Sequence, residues 1–137
     1  MSAPLLLDTC AVVWASGATA TDPLRRQLRE AHEERRPVWI SPITAWEIGT
    51  LAANGRIGIA RPVLAWFEGI LAKSGAKLAE LGPRILVAST ELPEGMHRDP
   101  ADRIIVATAR EYGLRIVTRD RKILTYAEKG HVMAVAC

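Results

Sequence analysis

The residues of this chain best suited to chemistry are carboxylates at the ends of predicted strands and the starts of predicted helices. Asp8 follows the apolar run 5–7, and Asp120 follows the run 116–118, so both emerge where a strand ends. Thr118, two residues before Asp120, could orient a carboxylate or a water through its hydroxyl. An Asp in such a place is often only a helix N-cap. Each of these acids taken alone is therefore a weak indication of function.

Glu47 is less ordinary because it lies in an apolar helical stripe. A helix is predicted to begin after Ser41-Pro42. In this helix Glu47 shares one face with Ile43 and Leu51, four residues away on either side. A carboxylate there is costly unless it pairs with an Arg, reaches solvent at the edge of the stripe, or binds a metal.

Two further acids, Asp99 and Asp102, open a helix that is predicted to run to Tyr112. Asp99 precedes Pro100, which is typical of a capped helix start, and both charges favour the helix dipole. Asp102 also aligns with Val106, so it points toward the buried side of the helix. The dipole explains the charge of Asp102 but not its inward direction.

These acids together predict a metal site. If they converge on one cleft, four or five carboxylates repel one another and raise each other's pKa, and a hard divalent cation removes that conflict. Oxygen ligands select Mg²⁺ or Mn²⁺ over zinc. Neither the two cysteines nor the three histidines fall in a zinc-ligand spacing (Cys10 and Cys137; His32, His97 and His131).

The charge balance of the chain indicates a class of substrate. The net charge is +3, the pI is about 9.2, and the 18 basic residues are 14 Arg and 4 Lys. Arg pairs bidentately with phosphate, although Arg-rich codon usage explains the same composition. An acidic oxygen site on a basic chain indicates metal-assisted cleavage of phosphodiester bonds.

Short apolar runs alternate with helical patterns along the chain, and this order positions the acids. Strands are predicted at 4–8, 37–40, 77–81, 114–118 and 132–135, and helices at 9–15, 22–35, 42–54, 61–74, 83–92, 100–112 and 120–128. The pattern predicts an α/β fold in one domain over 1–137, with a mostly parallel sheet of about five strands flanked by helices on both faces. In such sheets ligands bind beyond the carboxyl ends of the strands.

The composition excludes several other classes of protein. With 49% hydrophobic and 24% charged residues, the chain is neither disordered, collagen-like nor a disulfide scaffold. We expect no membrane helix and no signal peptide, because the apolar run near the start ends at Asp8. Two scattered cysteines favour a reducing compartment, so we expect a cytoplasmic protein.

Four segments, in order, resemble the motifs of PIN-domain ribonucleases, and more narrowly those of the VapC toxins of bacterial type II toxin–antitoxin pairs. The segments are Leu-Leu-Leu-Asp-Thr at 5–9, Ser-Pro-Ile-Thr-Ala-Trp-Glu-Ile at 41–48, His-Arg-Asp-Pro-Ala-Asp-Arg at 97–103 and Val-Thr-Arg-Asp at 117–120. The resemblance implies a PIN-like domain and an endoribonuclease that needs Mg²⁺, for which Mn²⁺ can substitute. The carboxylates that match the family's catalytic metal ligands are Asp8, Glu47, Asp102 and Asp120.

Three other residues have lesser places in this resemblance. Asp99 matches an acidic position that many relatives carry but others lack, and Thr9 and Thr118 are supporting residues. As partners the family implies an RNA substrate, a small VapB-like antitoxin that inhibits the enzyme, a second copy of the chain, and no membrane. We expect the dimer surface to include Trp66, Phe67 and Ile70.

The antitoxin is expected to place an amphipathic helix near the helices at 41–54 and 61–74, and an Arg among the acids.

The alternative function is a PIN-like RNA-binding or interaction module without catalysis. Phosphatases of the haloacid dehalogenase type need a second Asp at the position of Cys10, and receiver domains need an acidic pair and a Lys that this chain lacks.

Overall fold

The computed structural model describes residues 2–17 and 20–137. Its strands are β1 (Leu5–Leu7), β2 (Val38–Ile40), β3 (Lys77–Leu78), β4 (Arg115–Thr118) and β5 (Met133–Ala136). Its helices are α1 (Thr9–Ala15), α2 (Asp22–Glu33), α3 (Pro42–Ala53), α4 (Val63–Ser74), α5 (Pro83–Thr90), α6 (Pro100–Tyr112) and α7 (Arg121–Glu128). The strands form one sheet in the order β3-β2-β1-β4-β5, and every neighbouring pair is parallel.

The central strand β1 is apolar throughout because helices cover both faces of the sheet. Leu5 and Leu7 pack into one hydrophobic core with residues of α1 to α4, whereas Leu6 packs into a second core with α6 and α7. Successive strand side chains point to opposite faces, so an unbroken apolar run is what a doubly covered strand requires. The predicted α/β class, with a five-stranded sheet between helices, is confirmed.

Two local expectations were wrong. The pair Asp22-Pro23 predicts Asp22 as the cap of the helix at 22–35, but Asp22 lies inside α2, and the hydroxyl of Thr21 accepts the capping hydrogen bond from the N–H of Leu24 at 3.2 Å. Strand β3 has two residues rather than the five predicted at 77–81. It is an edge strand with one neighbour, so few hydrogen bonds favour its extension.

The strand order places a crevice at the carboxyl end of the two central strands. The chain adds β2 and β3 on one side of β1 and then β4 and β5 on the other, so the winding direction reverses between β1 and β4. Open α/β sheets bind their ligands at such a reversal. Leu7 pairs with Val117 in the register, which brings the residues that follow β1 beside those that follow β4.

Among the described residues, the structure has no helix with the length and apolar character needed to cross a membrane.

Candidate metal centre

Asp8 is the most deeply buried acid of the site, with 6% of its surface exposed. One carboxylate oxygen, Oδ1, accepts a hydrogen bond from the N–H of Ala11 at 2.8 Å and so caps α1. The other, Oδ2, accepts from the hydroxyl of Thr118. Burial raises the pKa of Asp8, and the charge of Asp120 adds to that rise, against the lowering effect of the two hydrogen bonds. Asp8 can therefore cap α1 and also belong to the site.

Thr118 connects two acids through one hydroxyl. Its oxygen accepts a hydrogen bond from the N–H of Asp120 at 2.9 Å while its proton goes to Asp8. Asp120 in turn caps α7 with Oδ1, which accepts from the N–H groups of Lys122 at 2.8 Å and Ile123 at 3.1 Å. The ends of β1 and β4 are thus held together by a side chain that sequence analysis identified as a possible orienting group.

Glu47 reaches the same region from α3. Its Oε1 accepts a hydrogen bond from the hydroxyl of Thr9, whose oxygen lies 3.2 Å from the hydroxyl of Thr44. Burial raises the pKa of Glu47, and the charges of Asp99 and Asp8 raise it further. Over residues 2–17 and 20–137 no Arg, Lys or His forms an ion pair with Glu47, so the salt-bridge explanation of its position does not apply.

Asp99 and Asp102 occupy the start of α6 in different ways. Asp99 is exposed and caps the helix, its Oδ1 accepting from the N–H groups of Ala101 at 3.0 Å and Asp102 at 3.3 Å. The side chain of Asp102 is only 19% exposed. Asp102 therefore turns inward as its alignment with buried Val106 predicts.

The carboxylate of Asp102 carries the largest electrostatic cost in the site. Burial and then the neighbouring carboxylates raise its pKa from 3.8 to about 7. The acids that contribute, in decreasing order, are Asp99, Asp120, Glu47 and Asp8. All five predicted acids thus lie close enough to interact through their charges.

His97 lies within the tightest group of potential ligands, although sequence analysis discounted the histidines. One ligand atom each from His97, Asp102 and Asp120 fall within 4.8 Å of one another. Asp8, Glu47 and Asp99 lie outside that tightest group. Spacing rules missed His97 because it lies in a loop before α6. The available signal was its place in the same seven-residue motif as Asp102.

The donor set fits a hard divalent cation. It consists of carboxylate oxygens with one imidazole nearby, and it holds more negative charge than its own hydrogen bonds neutralise, as the raised pKa of Asp102 indicates. Oxygen ligands of this kind suit Mg²⁺ or Mn²⁺.

Comparison with known proteins identifies the family. The model of the family described as PIN domain matches residues 5–129. The chain belongs to the PIN-domain family. This PIN domain is 32% identical over 124 residues to Ribonuclease VapC22 of Mycobacterium tuberculosis, an alignment that covers 89% of the chain and 91% of the relative. The resemblance to VapC toxins is confirmed.

Solved structures share the fold of this PIN domain at lower sequence identity. The crystal structure of VapBC2 from Rickettsia felis, bound to a DNA fragment from their promoter, matches with a TM-score of 0.70 and 14% identity, over 96% of this chain and 97% of that one. FitAcB from Neisseria gonorrhoeae matches with a TM-score of 0.63 and 19% identity, over 95% of both chains.

Proposed function

We propose that this protein is a metal-dependent endoribonuclease and the toxin of a type II toxin–antitoxin pair. The observation that carries the proposal is the convergence of carboxylates on a buried Asp102 at the switch point of a PIN-domain sheet, where burial and then the neighbouring charges raise its pKa to about 7. Carboxylates that lie close together repel one another, and a bound cation relieves this repulsion. The similarity to a protein named a ribonuclease supports RNA as the substrate.

Each acid has a role of its own in the proposed metal centre. Asp8 and Asp102 are the principal ligands of Mg²⁺ or Mn²⁺, with Asp120 and Glu47 completing the set and Asp99 contributing mainly charge. A bound cation of this kind stabilises charge on the phosphate and lowers the pKa of an attacking water. Hydroxyls hold two of these carboxylates in place, because Thr118 donates to Asp8 and Thr9 donates to Glu47.

A cleavage assay with purified protein tests the proposal. We expect the wild type to cut RNA with Mg²⁺ or Mn²⁺ and to stop in excess EDTA. Asp102→Asn should be inactive in every condition, and Asp22→Asn, which removes an exposed acid of α2, should match the wild type. Cleavage by the wild type and Asp22→Asn that continues undiminished in excess EDTA, while Asp102→Asn purified in parallel stays inactive and so excludes a contaminating nuclease, would refute the metal dependence. RNA binding without cleavage would favour the alternative of a non-catalytic module.

We also propose a small protein antitoxin as the partner that inhibits the enzyme. The VapBC2 structure named above supports such a partner. A cleft of about 630 Å³ offers a docking site for an amphipathic helix. The cleft is lined by residues of β1, β2, α1, α2 and α4, and Arg36, Arg61 and Lys73 are among the residues around it. Of the two helices predicted to border the docking site, α4 lines this cleft, whereas α3 contributes none of the residues that line it.

A homodimer and a cytoplasmic location remain part of the proposal. Three residues were expected at the dimer surface. The expectation for Phe67 was wrong, because this side chain is 4% exposed and packs into the first core. Trp66 and Ile70 are only partly buried. Larger exposed apolar surfaces lie nearby at Leu64, 67% exposed, and Trp46, 61% exposed.

A further inference from the structure

The imidazole of His97 faces the acid with the largest pKa rise. Its Nε2 lies 3.2 Å from Oδ2 of Asp102, and both side chains are largely buried. The N–H direction at Nε2 does not meet hydrogen-bond geometry in this position, and the buried Nε2 has no hydrogen-bond partner in the part of the chain that the structure describes. A buried polar atom without a partner normally has a structural or functional reason.

The loop that carries His97 is fixed to α6 by the residue next to Asp102. The guanidinium of Arg103 donates through Nη1 to the carbonyls of Met96 and His97, both at 3.3 Å, and through Nε to the carbonyl of Ser89 at 2.9 Å. Because Arg103 and Asp102 are adjacent in one helix, the backbone of His97 is held at a set distance from the Asp102 carboxylate.

A second contact sets which ring nitrogen carries the proton. The N–H of Asp99 donates to Nδ1 of His97 at 3.4 Å. Nδ1 is therefore an acceptor, which leaves the proton of a neutral imidazole on Nε2. A small rotation of either side chain then turns the Nε2 proton onto Oδ2 of Asp102. Direct binding of a metal by Nε2 would need the opposite tautomer and would break the contact with Asp99.

We propose that His97 is a positioning residue that donates from Nε2 to Oδ2 of Asp102 and leaves Oδ1 of that carboxylate for the cation. The inference rests on the metal centre of the proposed function and adds one role to it. Carboxylates that bind metals are commonly oriented by such hydrogen bonds, and loss of the partner typically weakens metal binding about 10–100-fold.

Mn²⁺ binding to the full chain, followed by the electron paramagnetic resonance signal of the free ion, tests this role. His97→Leu removes the donor, whereas His97→Gln places an amide N–H near the position of Nε2. We expect about 10–100-fold weaker Mn²⁺ binding in His97→Leu and binding close to wild type in His97→Gln. His32→Leu, which removes an exposed histidine of α2, serves as the matched control and should bind Mn²⁺ as the wild type does.

Pulsed electron paramagnetic resonance of the Mn²⁺-loaded wild type tests the same role without any substitution. We expect no coupling from a directly coordinated ¹⁴N nucleus. A strong ¹⁴N coupling that disappears in His97→Gln would overturn the positioning role in favour of direct coordination. Equal Mn²⁺ affinity of wild type and His97→Leu would overturn any role at the metal. If the wild type itself fails to bind Mn²⁺, the metal centre is refuted and this inference falls with it.

Discussion

At the scale of single residues, the site is governed by negative charge that the protein does not neutralise. Asp8 and Glu47 each accept a hydrogen bond from a threonine hydroxyl, yet the pKa of both is raised because the effect of burial outweighs that of these hydrogen bonds. Within residues 2–17 and 20–137 no such donor is aligned on Asp102, which shows the largest rise among the acids, to about 7. Removing one charge should therefore affect catalysis and stability in opposite directions.

The charge-removing, shape-preserving variants Asp8→Asn and Asp102→Asn should abolish RNA cleavage. Each removes a proposed principal ligand while leaving the packing nearly unchanged. Glu47→Gln and Asp120→Asn should also be severely impaired, whereas Asp99→Asn should keep part of the activity because Asp99 is the one exposed acid of the five. Cleavage rates at saturating Mg²⁺, with circular dichroism to establish folding, measure the effects. Full activity of a folded Asp102→Asn protein would contradict the assignment of the whole site.

The metal-free protein should lose stability as the pH rises toward neutrality. The pKa of Asp102 is about 7 in the folded state and 3.8 as the unperturbed value, so the native state binds more protons between these limits. The free energy of unfolding then falls from about pH 4 through pH 7 and levels off near pH 8, where Asp102 is ionised in both states. In Asp102→Asn this contribution is absent, so the variant should exceed the wild type by about 1–2 kcal/mol at pH 8, after allowance for partial solvent screening.

Urea unfolding in EDTA at pH 5 and pH 8 measures this difference directly. Comparing the two proteins at each pH cancels the titration of groups that they share. A stability difference that is the same at both pH values would show that the charge of Asp102 is not the cause.

At the scale of elements, the sequence predicted the positions of the helices and strands that carry the site better than it predicted their side-chain contacts. The start of α6 followed from Asp99-Pro100, and the helix ends as predicted at Tyr112, before Gly113, whose φ of 68° suits glycine. Local signals of this kind act within a few residues. The proximity of His97 to Asp102 depends on a loop held by Arg103, and the burial of Phe67 depends on which face of α4 meets the sheet. Neither follows from spacing along the chain.

The two roles of Asp99, capping and charge, can be separated by two substitutions. Asn caps helices about as well as Asp, so Asp99→Asn should keep the stability of α6, whereas Asp99→Ala should cost about 1 kcal/mol of unfolding free energy. Both variants remove the same charge from the neighbourhood of Asp102. Thermal or urea unfolding in EDTA distinguishes them, and equal stability of the two variants would mean that the cap contributes nothing measurable.

At the scale of the whole molecule, the winding of the sheet brings distant segments to one place. Asp8 and Thr118 are 110 positions apart, yet they share a hydrogen bond because β1 and β4 are neighbours at the switch point. The sequence predicted this convergence through the alternation of strands and helices. It did not predict that the basic-bordered cleft lies between α1, α2 and α4, because packing between helices far apart in sequence decides which walls face each other.

We expect a homodimer of about twice the 15.0 kDa chain mass. The exposed apolar side chains of Leu64 and Trp46 are surfaces that a second copy would cover. Light scattering at micromolar concentration should give the dimer mass, and Leu64→Asp should shift the protein toward the monomer. A monomeric wild type would reject the expectation, and a dimeric Leu64→Asp would place the interface elsewhere.

Metal and antitoxin should compete for the site. If an antitoxin places an Arg among the carboxylates, its guanidinium pairs with acids such as Asp8 and Asp102 and takes the place of the cation. Millimolar Mg²⁺ should then weaken the complex. Asp102→Asn should weaken it too, because one half of the charge pair is gone, while Asp22→Asn should have no effect. Calorimetric titration of a purified cognate antitoxin into wild type and Asp102→Asn, each with and without Mg²⁺, measures all four affinities. An antitoxin that only blocks the access of RNA would bind equally in the four cases, and that result would eliminate the insertion of an Arg.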